Sequence, residues 1–205
     1  MEILVCRLRR LSSLYTGCGR TDPFRVVAIL APLAFHGNVA PAHQVVTERT
    51  GGMERRSLGT TGWQATEIGF GTWNIGADWG DVSDDAGRAA VRTALDAGVN
   101  FIDTADVYGD GRSERHIASV LDEPASDRAD VFVATKVGRR LDPHTADRYT
   151  YENLARFVDR SRENLGVQTL DLVQLHTPPT EVFYRPSVFD ALSRSRDRAS
   201  NTDGR

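Results

Sequence analysis

Four residues of this chain carry side chains suited to moving a proton: Asp103, Tyr108, Lys136 and His176. Each stands at, or just beyond, the end of a short apolar run. A phenol titrates near about 10, so it serves as an acid near neutrality only where its anion is stabilised. An adjacent ammonium does that, a carboxylate keeps the ammonium charged and in place, and a neutral imidazole can orient a carbonyl or share the proton. Such a set suits delivery of a proton to a carbonyl oxygen as hydride arrives at its carbon. The chain offers neither a Gly-x-Ser-x-Gly nucleophile nor the paired carboxylates of sugar hydrolysis.

Lys136 is singular in another way. The chain has 25 basic residues, and every one except Lys136 is arginine. Arginine serves for ordinary surface charge here, and an ammonium is kept where a compact point charge differs in effect from a planar fork. With 205 residues, net charge -3 and 40% hydrophobic content, the composition is that of a globular domain with a sizeable core. The balance lacks the basic stripe of a nucleic-acid partner, and the longest apolar run, ten residues from Val26 to Phe35, falls short of the roughly 20 needed to span a bilayer. Cys6 and Cys18 lie outside the patterned region and the five histidines show no ligand spacing, so no metal is expected.

The elements that must position these residues follow in order. Residues 1–52 read as a disordered leader or a misplaced start, because patterning begins at Met53. Their basic start and apolar run have the order of a secretory signal, but the long basic region and Pro32 argue against export, and a cytoplasmic location is expected. A hairpin turns at Gly59–Gly62, and Gly69–Trp73 closes the next strand, with Thr72 and Trp73 facing the mouth of a site. Gly69-x-Gly71 lacks the third glycine and the following helix of a dinucleotide loop. Ser83 or Asp84 caps a helix to Ala97, followed by strand Val99–Thr104, and a second helix covers Ser113–Leu121. Strand Val131–Thr135 ends on Lys136, Thr150 caps a helix Tyr151–Leu165 stopped by Gly166, and strand Leu170–Leu175 ends on His176. Strand and helix alternate at the spacing of βαβ units, which predicts a parallel sheet. Ile102, Val133 and Val173 are expected to point inward, the fourth strand's edge to be exposed, and residues 193–205 to form a polar tail.

The combination of Gly69-Phe-Gly71-Thr72-Trp73, Asn100-Phe-Ile-Asp103-Thr-Ala-Asp-Val-Tyr108-Gly109, Ala134-Thr-Lys136 and Leu170-Asp-Leu-Val-Gln-Leu-His176 resembles the aldo-keto reductase family over roughly residues 53–192. The resemblance implies an α/β fold of the (β/α)8 TIM-barrel class with an N-terminal β-hairpin, of which about the first four βα units are present. It also implies a metal-free, NADPH-dependent reduction of an aldehyde or ketone. The catalytic tetrad falls on Asp103, Tyr108, Lys136 and His176, with Tyr108 as the acid. Gly71, Thr72 and Asp103 match positions at the nicotinamide end of NADPH, and Trp73 matches the substrate pocket. The remaining NADPH contacts, which the family places on strands five to eight, have no counterpart. A non-catalytic half-barrel that associates through its open sheet edges is therefore the alternative expectation.

Overall fold

The computed structural model describes residues 53–76, 80–124 and 130–202, together with Cys6–Arg7; of residues 196–202 it describes the backbone alone. The expectations for residues 1–52 otherwise lie outside the described residues. The first structural unit is a hairpin of β2 (Arg55–Ser57) and β3 (Gln64–Thr66), antiparallel, with Ser57 opposite Gln64. The βα units then run β4 (Phe70–Gly71), α1 (Asp84–Asp96), β5 (Phe101–Asp103), α2 (Arg112–Leu121), β6 (Phe132–Val137), α3 (Tyr151–Leu165), β7 (Leu172–Leu175) and α4 (Pro186–Thr202). The helix boundaries follow local chemistry. The Ser83 hydroxyl accepts from the Ala86 N–H to start α1, the Thr150 hydroxyl accepts from the Asn153 N–H to start α3, and Gly166 ends α3 in the left-handed region.

Strands β4, β5, β6 and β7 lie side by side in chain order and pair in parallel. At the far edge β1 (Cys6–Arg7) pairs antiparallel with β7, so the fourth parallel strand's edge, expected to be exposed, is taken over two residues by the chain's own N-terminal segment. The polar stretch after Leu192 continues α4 to Thr202, with Val188, Ala191 and Leu192 packed in the core.

The direction of the strand side chains corrects the sequence reading. Ile102, Val133 and Val173 do not face the barrel interior. They belong to the main core beneath the helices, with Val91, Ile117, Leu154 and Phe157. Strand side chains alternate faces, so the opposite set comprises Phe101, Asp103, Phe132, Ala134, Lys136, Leu172 and Gln174. A second small core forms on that face, where Trp63 of the hairpin turn packs with Ala134, Leu172, Phe101 and Phe132. The Trp63 and Phe132 rings stack at 4.4 Å. The buried Asn100 side chain fastens the hairpin there, accepting from the Thr66 N–H at 2.7 Å and donating to the Gln64 carbonyl at 2.9 Å.

Candidate functional site

The strand register builds the site in rows. Gly71 lies opposite Asp103, Asp103 opposite Ala134, and Ala134 opposite Leu172, which sets one row across four strands. Two residues further along, Lys136 lies opposite Gln174 on the same face. Lys136 was expected just past its strand, but it sits inside β6, so the ladder on both sides fixes its backbone. His176 follows β7 directly, its N–H bonded to the Val137 carbonyl at 2.8 Å.

Three of the four residues form one connected chain, with the fourth against it. The Lys136 ammonium donates to the Asp103 carboxylate, to the Thr104 carbonyl at 2.9 Å and to the Tyr108 hydroxyl at 3.3 Å. It also lies 5.1 Å from the centre of the Tyr108 ring, close enough for attraction to the ring face. His176 meets Tyr108 edge-on, with ring centres 5.7 Å apart and planes at 89°. Trp73, 49% exposed, lies over the outer side of Tyr108 at 6.3 Å. The structure thus brings Asp103, Tyr108, Lys136, His176 and Trp73 together.

Thr72 departs from its expected place. It is fully buried, its hydroxyl donating to the Asp103 carbonyl at 3.0 Å and lying 2.7 Å from the Ser113 hydroxyl. It acts on the site by holding the Asp103 backbone and presents no side chain to the mouth. Gly71 does open towards the mouth, since a Cβ added there would meet nothing within 4 Å.

Electrostatics separate the groups further. Burial pushes His176 down to about 4, with the charges of Lys136, Arg139 and His144 adding to the effect, so the imidazole is neutral at physiological pH. Its Nδ1 is buried with no partner among the described residues, as is Oε1 of Gln174. A second phenol near the mouth behaves differently: Tyr149 is pushed up to about 12 by burial, and its hydroxyl lies 2.8 Å from His144 Nε2. It has no ammonium beside it, whereas Tyr108 has that of Lys136 at 3.3 Å.

Sequence reasoning missed Gln174, Glu114 and Asp106. Gln174 was legible, being two residues before His176 on a strand and therefore on the same face. Glu114, fully buried, accepts from Thr135, the residue before Lys136, at 2.6 Å and from Asn164 at 2.8 Å. Asp106 is also fully buried, with neither carboxylate oxygen hydrogen-bonded. No sequence signal marks an acid in a loop as buried. Among the described residues, no cluster of His, Cys, Asp or Glu could hold a metal ion, and no helix is long and apolar enough to cross a membrane.

A parallel sheet backed by helices, with polar groups gathered at the strands' C-terminal ends, is the layout of a (β/α)8 barrel enzyme. Comparison with known proteins defines which kind. The aldo/keto reductase family model matches residues 67–197, and the chain belongs to that family. It is 37% identical over 130 residues to the aldo-keto reductase YhdN of Bacillus subtilis, covering 62% of this chain and 38% of that protein. It is 31% identical over 112 residues to the aldo-keto reductase yakc [NADP(+)] of Schizosaccharomyces pombe, covering 53% of this chain and 33% of that one. The solved holo form of aldo-keto reductase AKR11C1 from Bacillus halodurans superposes with a TM-score of 0.60 at 26% identity, covering 72% of this chain and 47% of that structure. The chain therefore spans less than half the length of these curated relatives, and its fold is that of about the first four βα units of their barrel.

Proposed function

We propose that this chain carries the proton-delivering half of a cytoplasmic, NADPH-dependent carbonyl reductase, acting on an aldehyde or ketone. The observation that carries this reading is the unbroken contact from Asp103 through Lys136 to Tyr108, with His176 edge-on to the phenol. Tyr108 gives its proton to the substrate oxygen. Lys136, 3.3 Å away, stabilises the charge that grows on the phenol oxygen as the proton leaves. Asp103 holds the ammonium in place, and His176, neutral at working pH, orients the carbonyl oxygen towards Tyr108. Trp73 shields the outer side of that oxygen from water.

The residues present fit the nicotinamide end of the cofactor. Gly71 leaves open space beside Asp103, and Gln174 supplies a buried acceptor without a partner on the same face. Gly71, Asp103 and, through the backbone, Thr72 would hold that end, and bound NADPH would supply the hydride. The relative named for NADP(+) supports the choice of nucleotide.

The test is a chimera in which residues 53–192 replace the matching segment of YhdN, assayed with NADPH on a panel of aldehydes and ketones. Turnover is expected. Tyr108→Phe should lower kcat by a factor of about 10² to 10⁴, the usual worth of a general acid. Lys136→Arg should impair it as well, since a fork does not replace a point charge beside the phenol. A folded chimera that reduces nothing overturns the reading and favours a half-barrel that acts by association alone, and a Tyr108→Phe variant with unchanged turnover removes Tyr108 as the acid.

A further inference from the structure

The loop that carries Tyr108 is gripped from two sides. On one side its backbone lies against the turn after β4. A Cβ at Gly109 would come within 1.9 Å of the Gly76 carbonyl oxygen, and a Cβ at Gly76 would come within 2.8 Å of the Gly109 nitrogen. Neither position accepts a side chain, so this contact is backbone on backbone. On the other side, Asp110 meets three arginines from three different elements. Its carboxylate pairs with Arg140 at 2.7 Å, from the loop after β6, and with Arg160 at 2.6 Å, from α3. Its carbonyl accepts from Arg160 at 3.0 Å and from Arg115 of α2 at 3.2 Å. Asp110 is held in the left-handed region, φ 53°, where aspartate and asparagine are the tolerated side chains.

The grip continues to the strand that bears Lys136. Arg115 also donates to the Asn164 side-chain Oδ1 at 3.1 Å, the Asn164 amide donates to Glu114 at 2.8 Å, and Glu114 accepts from Thr135, the residue before Lys136. Arg140 lies four residues after Lys136 on the same connection. Both routes from Asp110 therefore end beside the lysine, on either side of it in the chain.

From this geometry we infer that Asp110 is a positioning residue: through Arg140, Arg160 and Arg115 it holds the Tyr108 loop against β6 and sets the separation of Tyr108 from Lys136. The guanidinium of Arg140, followed by that of Arg160, holds the Asp110 carboxyl below its ordinary range, in keeping with a carboxylate that stays charged in the clamp. An exposed pair is worth little alone, and the effect here comes from one residue joining three elements, Arg140 and Arg160 through its carboxylate and Arg115 through its backbone carbonyl. The clamp should loosen as salt is raised, because Asp110 is open to solvent.

The inference bears on catalysis only if the proposed reduction holds, but the clamp itself is measurable without turnover. Asp110→Asn removes the charge and leaves a residue at home in the left-handed region. Amide hydrogen exchange in the 205-residue chain should speed at least about tenfold over residues 107–112, while α1 and β7 exchange as before. Arg160→Met should speed the same segment, and the two changes together should add little. Exchange over 107–112 within twofold of the parent in both variants, or an equal rise in every element, overturns the inference. In the active chimera, Asp110→Asn should lower kcat with KM nearly unchanged, and a change confined to KM would equally count against it. If the parent chimera is inactive, the proposed reaction fails while the exchange result still decides the clamp.

Discussion

Two ionisable groups near the site, the half-buried His176 and the buried Asp106, pull stability in opposite directions with pH. His176 titrates at about 4 in the folded chain against 6.5 for the free group, so the unfolded chain takes up the proton first as pH falls. Its contribution is complete above about 6.5 and is lost as pH drops towards 4. Asp106 is raised from 3.8 to about 7, chiefly by burial and then by the charge of Glu114, with Arg140 and Arg160 opposing. Its contribution is complete below about 3.8 and is lost as pH climbs towards 7, because the folded chain must hold a proton that the unfolded chain releases. Asp106→Asn, a neutral mimic of the protonated acid, should therefore raise the melting temperature over the parent by an amount that grows from pH 4 to about 7 and then levels. His176→Asn should show the reverse: its difference from the parent changes mainly between about pH 6.5 and 4. Thermal melts at half-unit pH steps check both, and a pH-independent difference for either variant would contradict its assignment.

The elements differ in what holds them. Ile102, at the centre of β5 and fully buried under the helices, should cost about 2–5 kcal/mol on truncation to alanine, by loss of transfer energy and the cavity left behind. Asn100→Ala should cost about 1–3 kcal/mol by a different route, leaving the Thr66 N–H buried without its acceptor and releasing the hairpin. Denaturant titration reads both, and the Asn100 variant should in addition speed exchange selectively in β2 and β3. Much of this was legible in the sequence. Thr150, Gly166 and Ser83 announce helix ends by local hydrogen bonding, and local rules suffice for them. That Asp103, Tyr108, Lys136 and His176 would lie together was legible because residue type and position at or near a strand end coincide at Asp103, Lys136 and His176. Which face of each strand meets the helices was misread although alternation settles it: with Asp103 and Lys136 at the mouth, Ile102 and Val133 stand at odd spacing from them and so turn to the opposite face, under the helices. The Asp110 clamp was illegible: its arginines lie 5, 30 and 50 residues away, and no local pattern pairs them.

At the scale of the whole molecule, the described residues supply one wall of a barrel and, in the function proposed, one end of a nucleotide site. The 205-residue chain by itself should show no saturable NADPH binding at micromolar concentration, since the nicotinamide-end contacts alone must offset the several kcal/mol cost of association. Nucleotide fluorescence and melting temperature measured together test this, and saturable binding with a matching rise in melting temperature would refute it. The strand order β4, β5, β6, β7 also governs how the molecule can come into being. From β5 onwards each of these strands pairs with the one made just before it, so on the ribosome each new βα unit after the first finds its neighbour already waiting. The hairpin has no such luck. Although synthesised ahead of them all, it has nothing to hold until Asn100 emerges before β5, and Trp63 finds its stacking partner only when Phe132 follows in β6.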